Sequence, residues 1–256
     1  WVGDLSGLNN MELGRINYDN SANAYFGGII DDVGIWNRVL TATEINKLAN
    51  NNEGADAGWT TVGSSTTITD GWVNSGGAGN NADHRIHQDT GLTVSNTTWV
   101  CDFEFYHSSS GDKLESGLPV GFYSGTGTPM TANQDMIGIM FGNGGELLLV
   151  YKDGSGSMTN TSGQGVSAST TYYCRLTRTS ATEATLKIYT DSSRSTQHGS
   201  TITQSSLPSS VQGLDYIQHS STNNGGTGGS QSTWKVTNVK FYNNSISHDG
   251  CKNDFS

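Results

Sequence analysis

Two stretches of this chain echo each other at long range. Residues 30–41 read IDDVGIWNRVLT and residues 236–247 read VTNVKFYNNSIS. Ile30 corresponds to Val236, Val33 to Val239, Ile35 to Phe241, Trp36 to Tyr242 and Asn37 to Asn243. Both alternate as strands do and close on an aromatic residue followed by asparagine. The offset of 206 residues (236 minus 30) is a credible domain length. Each stretch therefore reads as the last strand of a β domain. Residues 1–50 are expected to be the tail of one domain, and 51–256 one complete copy.

The tail carries its own local signals. MELGRINYDN reads as a strand and turn, and AYFGG leads into the last strand. Thr41 with Glu44 forms a capping box, and Leu40 with Ile45 a hydrophobic staple, for a short helix that shows Ile45 and Leu48 on one side. NNNEGADAG after it reads as a linker.

The larger unit is a series of strand signals. WTTVGSSTTIT comes first; TTWVCDFEFYH then sets Trp99, Cys101, Phe103 and Phe105 on one face and Val100, Asp102, Glu104 and Tyr106 on the other. LPVGFYSG follows, then DMIGIMFG and ELLLVYKDG, joined at Asn143-Gly144-Gly145, a hairpin signal. TYYCRLTRT and ATLKIYTD form another hairpin turning at Ser180–Glu183, and GLDYIQH and TWKVTNVKFYNN complete the set, with Gly-rich 223–230 read as a loop. Only 14% of residues are charged, 34 are glycine and 3 are proline, a composition suited to short strands and polar turns. Six Trp, ten Tyr and seven Phe supply the core. These features predict an all-β sandwich of two antiparallel sheets.

YFGGIIDDVGIWNRVLTATEINKL resembles the C-terminal signature of laminin-G-like domains in the concanavalin A-like lectin/glucanase superfamily. Gly28, Ile30, Asp31, Asp32, Val33, Trp36, Asn37, Arg38, Leu40, Thr41, Glu44 and Ile45 carry the match, which covers about fifty residues. The second copy departs where Asp32 becomes Asn238 and Arg38 becomes Asn244, and it lacks the capped helix. The resemblance implies a jelly-roll sandwich on a secreted or cell-surface protein, often in tandem. Its members bind glycans or protein partners, some with calcium, and related folds include glucanases and polysaccharide lyases.

The net charge of −10 carries no basic stripe, which argues against a nucleic-acid partner. ELLLVY at 146–151 is strand-sized, so direct membrane insertion is not expected. Cys101, Cys174 and Cys251 leave at least one thiol unpaired, and the sequence does not choose among the three pairings. Asn96, Asn160 and Asn243 begin Asn-x-Ser/Thr triplets, the acceptor pattern for glycosylation.

Asp102 and Glu104 share a strand face, and two carboxylates are the minimum for glycoside hydrolysis. The strand triple of the fold's glucanases is incomplete here, because Val100 stands in its first position and Tyr106 follows Glu104. DHRIHQD, 83–89, concentrates Asp83, His84, Arg85, His87 and Asp89, yet supplies no distant fourth zinc ligand and reads as a polar loop or edge strand. It also lacks nearby in sequence the tyrosine and basic companions of a polysaccharide lyase. No EF-hand loop occurs. Loop acids Asp31, Asp32, Asp135, Glu146, Asp153, Asp191 and Asp215 are the candidates for calcium, the one cofactor the resemblance suggests. Trp72, His87, Tyr106, Trp234 and Tyr242 are the candidate ligand contacts, whereas Trp59 and Trp99 run in phase with the core.

The expectation is a non-catalytic extracellular or cell-surface module for adhesion, carbohydrate recognition or structural display, within a larger protein. Its partner would be a glycan or a neighbouring protein domain, copies of itself included. The alternative is a glycan-active hydrolase or lyase using Asp102 and Glu104.

Overall fold

A computed structural model describes residues 15–18, 21–25, 59–64, 66–69, 72–75, 84–108, 117–129, 131–142, 144–154, 156–221, 233–244 and 252–254. The chain separates into two compact units, Trp1–Leu48 and Ala49–Ser256. In the first, strand β1 (Arg15–Tyr18) pairs antiparallel with β2 (Ser21–Tyr25). The strand expected from Ile30 and the capped helix lie outside the described residues, as do the linker and the loop at 223–230.

The second unit holds sixteen of the described strands, in two antiparallel sheets. In chain order they are β3 (Thr60–Val62), β4 (Thr66–Thr69), β5 (Trp72–Ser75), β6 (Arg85–Asp89), β7 (Trp99–His107), β8 (Leu118–Tyr123), β9 (Met136–Phe141) and β10 (Glu146–Lys152). There follow β11 (Thr159–Asn160), β12 (Gln164–Gly165), β13 (Thr171–Ser180), β14 (Glu183–Tyr189), β15 (Ile202–Gln204), β16 (Tyr216–Ser220), β17 (Trp234–Asn243) and β18 (Lys252–Asp254). The first sheet runs β11-β10-β9-β8-β16-β6-β3, with β12 also on β10. The second runs β15-β14-β13-β7-β17-β5-β4, with β18 also on β17.

The core lies between the sheets. The alternation of β7 places Trp99, Cys101, Phe103 and Phe105 there, all 0% exposed. Trp99 and Phe241 of the second sheet meet Phe122 of the first, each with its ring centroid 4.8 Å from that of Phe122. Full burial of each such side chain contributes about 1.5–3 kcal/mol. The two expected hairpins form as read: Leu147 pairs with Phe141 across 142–146, and Ser180 pairs with Glu183.

Two details differ from the sequence reading. WTTVGSSTTIT is not one strand: Gly63, at φ 75°, breaks it, so β3 joins the first sheet and β4 the second. The Ser64 amide donates to His84 Nδ1 (2.8 Å) and Thr66 Oγ1 to the His84 carbonyl (2.9 Å), holding the crossing in place. Arg85–Asp89, expected as a polar loop or edge strand, is an interior strand between β16 and β3. The two departures from the laminin-G-like motif, Asn238 and Asn244, both take left-handed backbone, at φ 51° and 56°. Asparagine tolerates that conformation better than most residues, and Asn238 sits in the register shift of β17 between Thr237 and Lys240.

Candidate functional site

The outer face of the second sheet is the one opposite Phe103 and Phe105, and it carries most of the expected residues. Asp102 lies there but is only 3% exposed. Its partner in the β7–β13 register is Arg175, which donates through Nε to Oδ1 (2.8 Å) and through Nη2 to Oδ2 (3.0 Å). Arg194 Nε stands 3.6 Å from Oδ1. Burial works against the Arg175 charge, but the hydrogen bond and charge of Asp102 outweigh it and hold the guanidinium above its ordinary value. Glu104 accepts from Asn238 Nδ2 at 2.7 Å. The expected carboxylate pair is therefore engaged in structure, with both Asp102 oxygens bound to arginine.

Around this pair the face is aromatic and basic. Tyr106 is half-buried and faces Thr171 and Lys235 in register; Tyr173, also half-buried, faces Glu104 and Tyr189. Tyr242, 7% exposed, stands opposite Val100. Lys187 pairs with Arg175 and Lys240 with Asp102. Arg194 arrives on a loop that Asp191 staples, accepting from the Ser195 amide (3.1 Å) and the Thr196 amide (2.7 Å). Tyr173, Arg175, Lys187 and Arg194 were not among the sequence candidates; their alternation with core residues on β13 and β14 was the available signal for the first three.

The other expected contacts fall elsewhere. Trp234 is 0% exposed and packs in the core, a correction to its reading as a ligand contact, because it shares the inward phase of Val236. Trp72 lies on β5, and its side chain is outside the described residues. His87 is on the first sheet, facing away from the core, 9% exposed. Burial, then the Arg85 charge, lowers its pKa and favours neutral imidazole.

On that face the fold gathers what the sequence had scattered. His87 and Gln218 are register partners, as are Gln218 and Gly121, and the Tyr123 ring folds back over Gly121. Arg85 lies two residues from His87 and donates to the Thr126 carbonyl (3.1 Å) and Thr128 Oγ1 (3.3 Å) of the loop above. A tyrosine, which the sequence around His87 lacks, is thus present in space beside Arg85. Burial pushes the Tyr123 phenol well up, against the pull of Arg85. Gly121 in the middle of a strand was the sequence clue, since such a glycine marks close approach by another group.

Cys101 and Cys174 are free, buried thiols; Cys251 lies outside the described residues. Among the glycosylation candidates, Asn96 and Asn160 are exposed. Asn243 is tied down: Oδ1 accepts from the Ser95 amide (2.8 Å) and Nδ2 donates to the Thr93 carbonyl (2.9 Å). Of the loop acids, Asp31 and Asp32 lie outside the described residues, while Asp135, Asp153 and Asp215 serve as staples, as Asp191 does. Asp135 accepts from Gly154 N (2.7 Å) and Gln212 N (3.1 Å), Asp153 from Ser210 Oγ (2.9 Å) and Asp215 from Val94 N (2.9 Å). Among the described residues, no three His, Cys, Asp or Glu gather as metal ligands. Calcium takes six to eight oxygens, from backbone carbonyls and waters as well as from carboxylates such as these.

No family model and no curated protein matches the chain. Solved structures do. The exoplasmic/lumenal domain of VIP36, in a form bound to Ca2+ and Man3GlcNAc, superposes with a TM-score of 0.50 at 13% identity, over 75% of this chain and 86% of that one. The fold is an all-β sandwich of two antiparallel sheets in a jelly-roll arrangement. A family 7 alginate lyase, A1-II′, in complex with substrate gives a TM-score of 0.47 at 14% identity, over 73% of this chain and 84% of that one. A protein of unknown function from Shewanella oneidensis gives 0.40 at 13%, over 81% and 95%. At these identities the likeness establishes the fold alone.

Proposed function

We propose that this chain is a non-catalytic carbohydrate-recognition module of an extracellular or cell-surface protein, with the outer face of the second sheet as its contact surface. The first unit is, on this reading, the end of a laminin-G-like domain in the same array. One observation carries the proposal: half-buried Tyr173 stands two residues from Arg175 on the same face of β13, with half-buried Tyr106 beyond it opposite Thr171, and the Arg175 guanidinium is fixed by two hydrogen bonds to Asp102. Tyrosine offers an apolar ring for the C–H face of a sugar and a hydroxyl for its polar edge. A pre-ordered arginine adds donors at low entropic cost. Arg175, Lys187, Arg194, Lys235 and Lys240 make the face locally basic in a chain of net charge −10, which favours sugars bearing carboxylate or sulfate. The calcium and mannose-containing glycan belong to VIP36; the sandwich they occupy there is consistent with carbohydrate as the ligand class here.

The two-pronged ion pair of Asp102 with Arg175 supports this reading over the carboxylate-dependent hydrolase, which needs both Asp102 and Glu104. The test is a glycan array probed with the full chain, in calcium and then in EDTA. Saturable binding to acidic glycans is expected in both buffers, weakened by Tyr106→Ala and Lys235→Ala, with no product released. Silence in both buffers, or turnover of a bound glycan, overturns the reading.

A further inference from the structure

Three polar atoms on the outer face of the first sheet are buried without a hydrogen bond among the described residues: His87 Nδ1, Tyr123 Oη and Gln218 Oε1. Their residues are 9%, 0% and 0% exposed. Leaving such a group unsatisfied costs about 1–3 kcal/mol, so three in one place call for an explanation. They form a single row. Gln218 faces His87 on β6 and Gly121 on β8, and a Cβ built on Gly121 would lie 2.6 Å from Tyr123 Oη. The row crosses three adjacent strands, about 10 Å at the usual strand spacing. At its far end Gly121 pairs with Gly138, and the Tyr123 ring takes the space that a side chain on Gly121 would fill.

A loop roofs this row. Its neck is closed by the Ser124 amide donating to the Asp135 carbonyl (3.0 Å) and the Asp135 amide donating to Ser124 Oγ (2.8 Å). Inside the loop, the Gln134 amide group both accepts from Gly127 N (3.1 Å) and donates to Gly127 O (3.0 Å). This is a compact, self-bonded loop with its ends together. It is fastened to the sheet by side chains of the same cluster: Gln218 Nε2 donates to the Gly125 carbonyl (2.7 Å) and Arg85 Nε to the Thr126 carbonyl (3.1 Å).

We propose that the His87–Gln218–Tyr123 row is a second binding site, for one neutral hydroxylated ring such as a sugar unit, and that the described residues of the loop above it, 124–129 and 131–135, act as its lid. The chemistry selects the class. Gln218 Oε1 only accepts, whereas the phenol and the neutral imidazole can each donate or accept. An anion would meet the lone pairs of Oε1, and a cation would meet Arg85. Hydroxyl groups satisfy all three atoms. The lid is held through side chains, so it can lift as a unit while the sheet stays paired.

The site stands on the opposite sheet from Tyr106, which makes the two carbohydrate readings separable. The experiment titrates the full chain with methyl β-D-glucopyranoside, methyl α-D-mannopyranoside and D-glucuronate by calorimetry. Saturable binding of at least one neutral glycoside is expected, weakened tenfold or more by Tyr123→Phe and unchanged by Tyr106→Ala. Tyr123→Phe keeps the ring and removes only the unpaired hydroxyl, and circular dichroism verifies its fold. Gly127→Ala places a Cβ 2.4 Å from that of Ala132 and should loosen the lid, giving faster association in stopped flow. Three results overturn the proposal: tighter binding of glucuronate than of either glycoside, glycoside affinity unaffected by Tyr123→Phe, or no glycoside binding at all, the outcome if ordered water alone satisfies the row.

Discussion

Asp102 and Arg175 face each other in the register of β7 and β13 and close a two-pronged ion pair, at 2.8 and 3.0 Å. The carboxylate is 4% exposed at its side chain and the guanidinium 23%. Asp102→Asn leaves Arg175 and Arg194 facing an amide. Because Arg175 reaches solvent, the loss should fall below that of a fully buried pair, at about 2 kcal/mol. Urea denaturation checks this, and Arg175→Met in the Asp102→Asn background should recover part of it.

Cys101 and Cys174 should behave as core residues. Burial pushes both thiols far above their ordinary range, so neither offers thiolate near neutral pH. In native protein at pH 8 a thiol reagent should leave both unlabelled, and denaturant should expose both, as peptide mass spectrometry would show. Cys174→Ser buries a hydroxyl and should cost about 1–3 kcal/mol.

How far the sequence foretold this molecule depends on whether the informative contacts are periodic. The alternation along WVCDFEFYH placed both faces of β7 correctly, because a period of two is enforced by the pleat itself. It could not reveal that Asp102 is engaged, since Arg175 and Arg194 come from β13 and a later loop. The row of His87, Gln218 and Tyr123 was hidden for the same reason: it exists only in the pairing of β6, β16 and β8. Trp234 was misread because an aromatic at a strand start looks the same whether it points in or out. Only the inward phase of Val236 settles it.

Acid should weaken the fold through His219. Its ring is buried beside Trp59, centroids 5.1 Å apart, and hydrogen-bonded through Nδ1 to the Pro119 carbonyl. Burial lowers its pKa from 6.5 to about 4, so folding favours the neutral ring. The stabilisation is complete above pH 6.5 and is lost as pH falls toward 4; that gap is worth roughly 3 kcal/mol. His87, also lowered, adds in the same direction. Melting temperature measured from pH 7 to pH 4 should fall, and His219→Phe should flatten the curve.

Asn243 should be a poor glycan acceptor despite its triplet. Its Nδ2 already donates to Thr93, and its Oδ1 accepts from both Ser95 and Asn244. Expressed in a glycosylating host, the protein should carry glycan at Asn96 and Asn160 and none at Asn243, as glycopeptide mapping would establish. Asn243→Ala should destabilise by about 1–2 kcal/mol through release of the 93–95 loop.

Among the described residues, the outermost strands of both sheets are short. The first sheet ends in β11, two residues, and β3, three; the second ends in β15, three residues, and β4, four. A long bare edge invites a neighbour's strand to pair with it. Modules strung closely along one polypeptide meet that hazard constantly, because each holds its neighbour at high effective concentration. Edges this brief give such a neighbour too few backbone groups to grip, so copies of this sandwich can be crowded into an array and still fold one at a time.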